Sequence, residues 1–286
     1  MRARVLWPWI MAAIGAVPAA SHAADKPVVG LVMKSLANEF FKTMEEGAVR
    51  YAKEDGTFTL VPVGMNSETD IDTQISAVEN FITQKVDLIC LAPADSVGLV
   101  APAAKAIKAG ITVVNFDVKL DDKALAHQGL KDFLFVGPDN REGAYLAGRA
   151  LAQKLGKGAK VFIIEGNPGA DNATMRKAGF EKAAKEFGLN VLESKTAHWE
   201  TEEANTLMTN LLTAHPDVQG VMPPTTRWCW AWSRRSTRPA SPGRSRWSGS
   251  TTSRRSRPSS RRARCSPPSI SSGRTWPRTA SRSGSA

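Results

Sequence analysis

The sequence predicts an α/β protein built on parallel sheets with helices on both faces. Three observations lead there. Short β-branched runs alternate with amphipathic segments through residues 27–222, the pattern of repeated strand–helix crossovers. The strand runs are apolar almost throughout, as strands covered on both faces are. The alternation falls into two blocks, 26–127 and 128–222, each close to the size of one α/β domain.

The elements follow in order. Residues 27–34, "PVVGLVMK", make the first strand. In "NEFFKTMEEGAVRYAKEDG", Phe41, Met44, Ala48 and Tyr51 recur at helical spacing and Gly56 closes the segment. The pattern repeats as strand "FTLVPVG", helix "DIDTQISAVENFITQK", strand "VDLICLAP", helix "SVGLVAPAAKAIKAG" and strand "TVVNFD". A linker then opens the second block, whose strands are "FLFVGP", "AKVFIIEG", "LNVLESKTA" and "VQGVM". Its helices are "NREGAYLAGRALAQKLG", "NATMRKAGFEKAAKEFG" and "TEEANTLMTNLLTAHP". Right-handed crossovers follow from strand twist. In such sheets ligands sit beyond the carboxyl ends of the strands. The loops to search are therefore "SLANEFF", "APADS", "FDVKLD", "GPDNRE", "GNPGADNA" and "AHWE".

Charge divides the chain differently. The formal net charge of +11 suggests a polyanion partner, but residues 223–286 hold 15 Arg and no Lys, Asp or Glu. Without them residues 1–222 carry −4, and without Arg2 and Arg4 of the leader the body carries −6. The body is mildly acidic and the basicity lies in the tail, so no nucleic-acid partner is expected. The start, "MRARVLWPWIMAAIGAVPAASHAADKP", reads as a secretory signal over residues 1–23, cleaved after Ala23. Its apolar stretch is too short to span a bilayer and is interrupted by Pro8 and Pro18. Cys90 is the single cysteine of the body and reads as a core residue. No metal-ligand spacing, Gly-rich phosphate loop or "GxSxG" occurs, and His127, His198 and His215 are scattered surface residues. No enzyme, cofactor or metal is expected.

With the loops placed, residues 26–222 resemble the periplasmic sugar-binding proteins of ABC importers, the ribose-binding-like group of the type I periplasmic binding proteins. "LANEFFKTMEEGA", "GITVVNFD", "GNPGADNATMRKAGF" and, most specifically, "LLTAHPDVQGV" carry the resemblance. It implies two Rossmann-like lobes joined by hinges, closing on a monosaccharide or polyol without chemistry. It also implies a periplasmic monomer that serves ABC permease subunits.

Sugars need charge-assisted hydrogen bonds to their hydroxyls and flat rings against their C–H faces. Asp117, ending its strand, is a candidate carboxylate for two hydroxyls, the alternative being a turn residue. Phe40 and Phe41 occupy the family's aromatic positions, one of them being core because neighbouring helix residues cannot both face the cleft. Trp199 falls where the second lobe places a facing ring. Asn38 is a ligand candidate or a helix N-cap. Asn172 and Arg176 lie in "GADNATMR", and a guanidinium fork suits vicinal hydroxyls. The chain departs from the ribose pattern at Val118 and Thr174, where arginines are expected, and at Glu39, where proline is expected.

After Met222 the language changes. Residues 223–286 hold no Leu or Val and one Ile, too little for a packed core, so disorder is expected. Read one base out of register, Trp228-Cys229 forces Val, Cys229-Trp230 forces Leu and Trp230-Ala231 forces Gly. The shifted frame permits "ADDTMVLGVVEAL", then "VVGFDDI" and "QFGANMAKNGIEVG", the continuation that the resemblance leads one to expect. One base lost just after the Met222 codon accounts for all three stretches. The second lobe then lacks its later strands, and the literal chain is expected to be unstable or to aggregate through its open sheet edge.

The leading reading is an exported sugar- or polyol-binding protein of an ABC importer. The alternatives are a sugar sensor feeding a chemoreceptor or signalling partner, and a non-functional frameshifted product. A repressor sensor domain shares this architecture but begins with a helix-turn-helix, where this chain has a leader.

Overall fold

The computed structural model describes residues 26–225, apart from Asp132, together with Trp228. The expected leader over 1–23 and nearly all of the tail after residue 225, with its expected disorder, lie outside the described residues.

The first sheet has five parallel strands in the order β2-β1-β3-β4-β5. They are β1 (Val28–Ser35), β2 (Thr59–Met65), β3 (Leu88–Leu91), β4 (Thr112–Phe116) and β5 (Phe135–Val136). Helices α1 (Glu39–Asp55), α2 (Ile71–Gln84), α3 (Val100–Lys108) and α4 (Asp122–His127) connect them. Alternation within the buried strands serves two cores. Val32, Ile89 and Leu91 pack with Phe81, Leu99 and Ala103 on one face. Leu31 and Met33 pack with Phe41 and Ala92 on the other, where half-buried Cys90 joins them.

After α5 (Asn140–Leu155) the second sheet begins, with three parallel strands among the described residues, in the order β7-β6-β8. These are β6 (Lys160–Glu165), β7 (Asn190–Thr196) and β8 (Gly220–Met222), connected by α6 (Asp171–Phe187) and α7 (Thr201–Ala214). Again the strand alternates: Val161 and Ile163 pack with Phe180 of α6, while Phe162 and Ile164 pack with Met208 and Leu211 of α7 and with Trp228. Among the described residues the second sheet has two strands fewer than the first. Among the described residues no helix is long and apolar enough to cross a membrane.

Three details differ from the sequence reading. The strand expected to open the second block, "FLFVGP", instead closes the first sheet as β5, so the chain leaves that sheet after Val136 and not at residue 128. Its register explains this: Asn115 and Asp117 donate their amides to the Leu134 and Val136 carbonyls, satisfying the edge of β4. The linker contains α4, capped by Asp121, whose side chain accepts from the Ala124 amide at 2.8 Å. Six residues are too few to show a helical period. Finally, α3 starts at Val100 rather than near Ser96, because Asp95 Oδ1 accepts from the Val97 and Gly98 amides at 2.9 and 2.7 Å. That local turn satisfies the backbone outside a helix.

Candidate functional site

Both sheets reverse strand order beside their first strand, β1 against β3 and β6 against β8. The carboxyl ends of those strands form the crevice of such sheets. The loops after β1, β2, β3 and β4 meet those after β6 and β7 there.

Lys34, near the end of β1, is 2% exposed and lies 3.3 Å from Glu68 Oε2, itself in a side chain 2% exposed. Its ammonium stands over the Phe41 ring at 5.3 Å from the centroid and over the Trp199 ring at 5.7 Å. Attraction to the ring faces and to the carboxylate compensates the buried cation. Glu68 also accepts from Asn38 Nδ2 at 2.6 Å, and its amide donates to Glu200 Oε1 of the second lobe at 2.9 Å. Burial pushes the Glu68 carboxyl above its ordinary range, against the pull of Lys34.

Asp117 is held in an unusual backbone. Its φ is 61°, and the Val118 amide donates to the Phe116 carbonyl at 2.7 Å, a tight three-residue turn with Asp117 at its centre. Asn115, fully buried, clamps that turn: Nδ2 donates to the Leu91 and Val118 carbonyls and Oδ1 accepts from the Leu120 amide. Burial raises the Asp117 carboxyl, while Lys34 and Arg176 pull it down.

From the second lobe, Trp199 follows another left-handed residue: φ is 46° at His198 and 68° at Trp199. Of the four non-glycine residues with positive φ among those described, Asp117, His198 and Trp199 all belong to this site, so backbone strain concentrates here. Thr196 Oγ1 anchors the turn by donating to the Gly166 carbonyl and accepting from the His198 amide. The Trp199 ring needs a glycine at 166, where a Cβ would come within 2.3 Å of the indole. Arg176 lies over the same ring at 5.4 Å, with Nε donating to Asn140 Oδ1 and Nη1 to the Pro224 carbonyl, each at 2.8 Å. Trp228 lies 6.2 Å from Trp199, ring to ring. Asn172 is buried in the first turn of α6. Among the described residues Asn172 Oδ1 and Trp199 Nε1 are buried polar atoms without a hydrogen-bond partner, while Glu68 Oε2 has only the Lys34 ammonium, which implies further polar groups at this place.

The structure thus groups Asn38, Phe41, Asp117, Arg176 and Trp199 around the crevice. Asn38 both caps α1, accepting from the Phe40 amide at 3.1 Å, and holds Glu68. Phe41 is buried under Lys34, whereas Phe40 stands 53% exposed and edge-on to Phe41 at 5.1 Å. Sequence reasoning missed Lys34, Glu68, Asn140 and Glu200. A lysine ending an otherwise apolar buried run is a signal for the first; nothing local marks the others. Among the described residues no group of side chains suits a metal.

Residues 29–230 match the family model described as periplasmic binding protein domain. The D-ribose/D-allose-binding protein of Pseudomonas aeruginosa is 45% identical over 69% of this chain and 62% of its own length. The ribose import binding protein of Bacillus subtilis is 34% identical over 72% of this chain and 64% of its own. The chain therefore spans less than two thirds of the length of these relatives. Among solved structures, an ABC transporter solute-binding protein from Burkholderia multivorans superposes with TM-score 0.71 at 43% identity, over 74% of this chain and 75% of that one. One from Actinobacillus succinogenes with bound D-allose gives 0.67 at 38% identity, over 73% and 72%. By its strand order, its crevice and these matches, the chain belongs to the periplasmic binding protein domain family.

Proposed function

We propose that this chain is the solute receptor of an ABC importer, capturing a monosaccharide or polyol between its lobes in the periplasm and delivering it to the membrane permease. The carrying observation is the convergence of carboxylates, cations and rings from both lobes on one crevice, with partnerless buried polar atoms beside them. Asp117 accepts hydroxyl protons, Arg176, Asn172 and Asn38 supply polar contacts, and Phe40, Phe41 and Trp199 supply apolar faces. Relatives named for D-ribose and D-allose, and a structural neighbour holding D-allose, support a monosaccharide. Relatives named as binding proteins support a role of capture and release, with closure driven by contacts made only in the closed state. Residues 1–23 direct export and are removed in the course of it, and mass spectrometry of the periplasmic protein tests this by its first residue.

The Arg-rich tail belongs to the same proposal. It is the out-of-frame remainder of the second lobe, and resequencing the DNA across the Met222 codon tests it: a restored base recovers the expected strands, and its true absence marks a decayed gene. The function is tested by melting the chain, as written and with the frame restored, against a panel of aldopentoses, aldohexoses and polyols. A ligand at a hundred times its Kd adds about 2.7 kcal/mol. A restored chain that no sugar stabilises overturns the reading.

A further inference from the structure

Helix α6 begins without a cap of its own. Its N-cap residue, Ala170, offers no side-chain hydrogen bond. The position is closed to a polar side chain, since Ala170 is fully buried against Val118 and Ala173. The missing acceptor comes from the other lobe. Ser96, in the loop after β3, accepts from the Asp171 amide through its Oγ at 2.9 Å, from a position 75 residues away in the chain.

The same residue makes two further bonds. Its amide donates to the Gly169 carbonyl at 2.8 Å, and its carbonyl accepts from the Asp121 amide at 2.9 Å. Beside it Asn167, 8% exposed, donates to the Ala94 carbonyl at 3.1 Å and accepts from the Gly169 amide. The loops interlock without spare room: a Cβ on Gly169 would stand 2.1 Å from Asp95 Oδ2, whose partner oxygen is occupied by the Val97 and Gly98 amides.

We infer that Ser96 is a closure latch, a cap for α6 supplied in trans that exists only while the lobes are together. An exposed first-turn amide is an unsatisfied donor, and water satisfies it when the lobes part. In the closed state the Ser96 hydroxyl replaces that water and is shielded at the lobe junction. Ser96 therefore sets how long the closed state lasts without touching the bound solute. It is a positioning residue, and its effect falls on release.

Its effect on affinity rests on the sugar-receptor reading; the latch itself does not. Hydrogen exchange of the full chain without ligand is the first measurement. The Asp171 amide is expected to be protected, and Ser96→Ala to speed its exchange roughly three- to tenfold, the worth of one hydrogen bond. Amides of α2 serve as the fold control and stay unchanged. Small-angle scattering is expected to show a larger radius of gyration for Ser96→Ala and for Gly169→Ala. An unprotected Asp171 amide in the unsubstituted chain, or equal exchange in both, overturns the latch. With D-allose or D-ribose as probe, Ser96→Ala raises the off-rate by the same factor and leaves the on-rate unchanged. An unchanged off-rate also overturns it, whereas no binding by the unsubstituted chain overturns only the sugar reading.

Discussion

Lys34 and Glu68 form an ion pair at 3.3 Å with both side chains almost wholly buried, Lys34 near the end of β1 and Glu68 in the turn that follows the neighbouring parallel strand β2. Asn38 and the Glu200 carboxylate complete the arrangement from α1 and the second lobe. Removing one member of such a pair strands the other charge. Lys34→Met is expected to destabilise the chain by about 3–5 kcal/mol, and Lys34→Met with Glu68→Leu to recover most of that loss. Urea melts of the two variants decide it. A double variant no better than the single one means that the pair contributes more than mutual neutralisation.

Asp117, like Glu68, makes the crevice sensitive to pH. Burial raises its carboxyl despite Lys34 and Arg176, so the folded state holds that proton more tightly than the unfolded chain does. The resulting stability is complete below the ordinary carboxylate value and is lost as pH rises through the folded value. Asp117→Asn keeps a residue that tolerates the left-handed backbone and removes the ionisation. It is expected to melt higher at pH 7, by about 2–4 °C for each kcal/mol released, and equally near the bottom of the carboxylate range at about pH 3. On the proposed function, the same variant is expected to lose any stabilisation by sugar. Melts across that pH range with and without ligand read both effects, and a variant that melts lower at pH 7 refutes the first.

Asn115 ties Asp117 to the sheet through three hydrogen bonds. Asn115→Leu retains the approximate volume and strands two carbonyls and one amide, at a cost of about 2–4 kcal/mol. Because the turn around Asp117 loosens, solute affinity is expected to fall further than global stability explains. Denaturant melts combined with calorimetric titration separate the two.

Packing between α5 and α6 depends on Gly179. A Cβ there would lie 2.2 Å from the Arg141 carbonyl oxygen, part of a backbone that cannot swing aside. Gly179→Ala is expected to cost about 3 kcal/mol, the upper end for overpacking. Gly47→Ala is the contrasting case: it lies inside α1 with nothing within 4 Å of the new methyl. It is expected to stabilise by about 0.5–1 kcal/mol. Thermal melts of the two variants should move in opposite directions.

Most of the secondary structure was legible from local patterns. β1 and β6 announce themselves as apolar runs, and α1 by Phe41, Met44 and Ala48 at helical spacing followed by Gly56. What failed was short or borrowed. β5 has two residues and α4 six, too few for a period, and β5 joins the first sheet because β4 needs a partner. Of the crevice, Asp117, Arg176 and Trp199 were readable through the resemblance of their loops, while Glu68 and Glu200 sit in polar stretches that look like any solvated turn.

Periodicity and composition decided the class of this protein: alternating buried strands and amphipathic helices, an acidic body, and a change of language after Met222. Each of those signals is local, since burial on one face imposes its own period on its own segment. Tertiary structure alone decided which side chains meet. The pairing of Lys34 with Glu68 depends on β2 lying beside β1, so that the turn after β2 reaches the end of β1, and the cap of α6 by Ser96 on two lobes coming together. A contact of that kind is a property of two segments at once, and neither segment's sequence contains it.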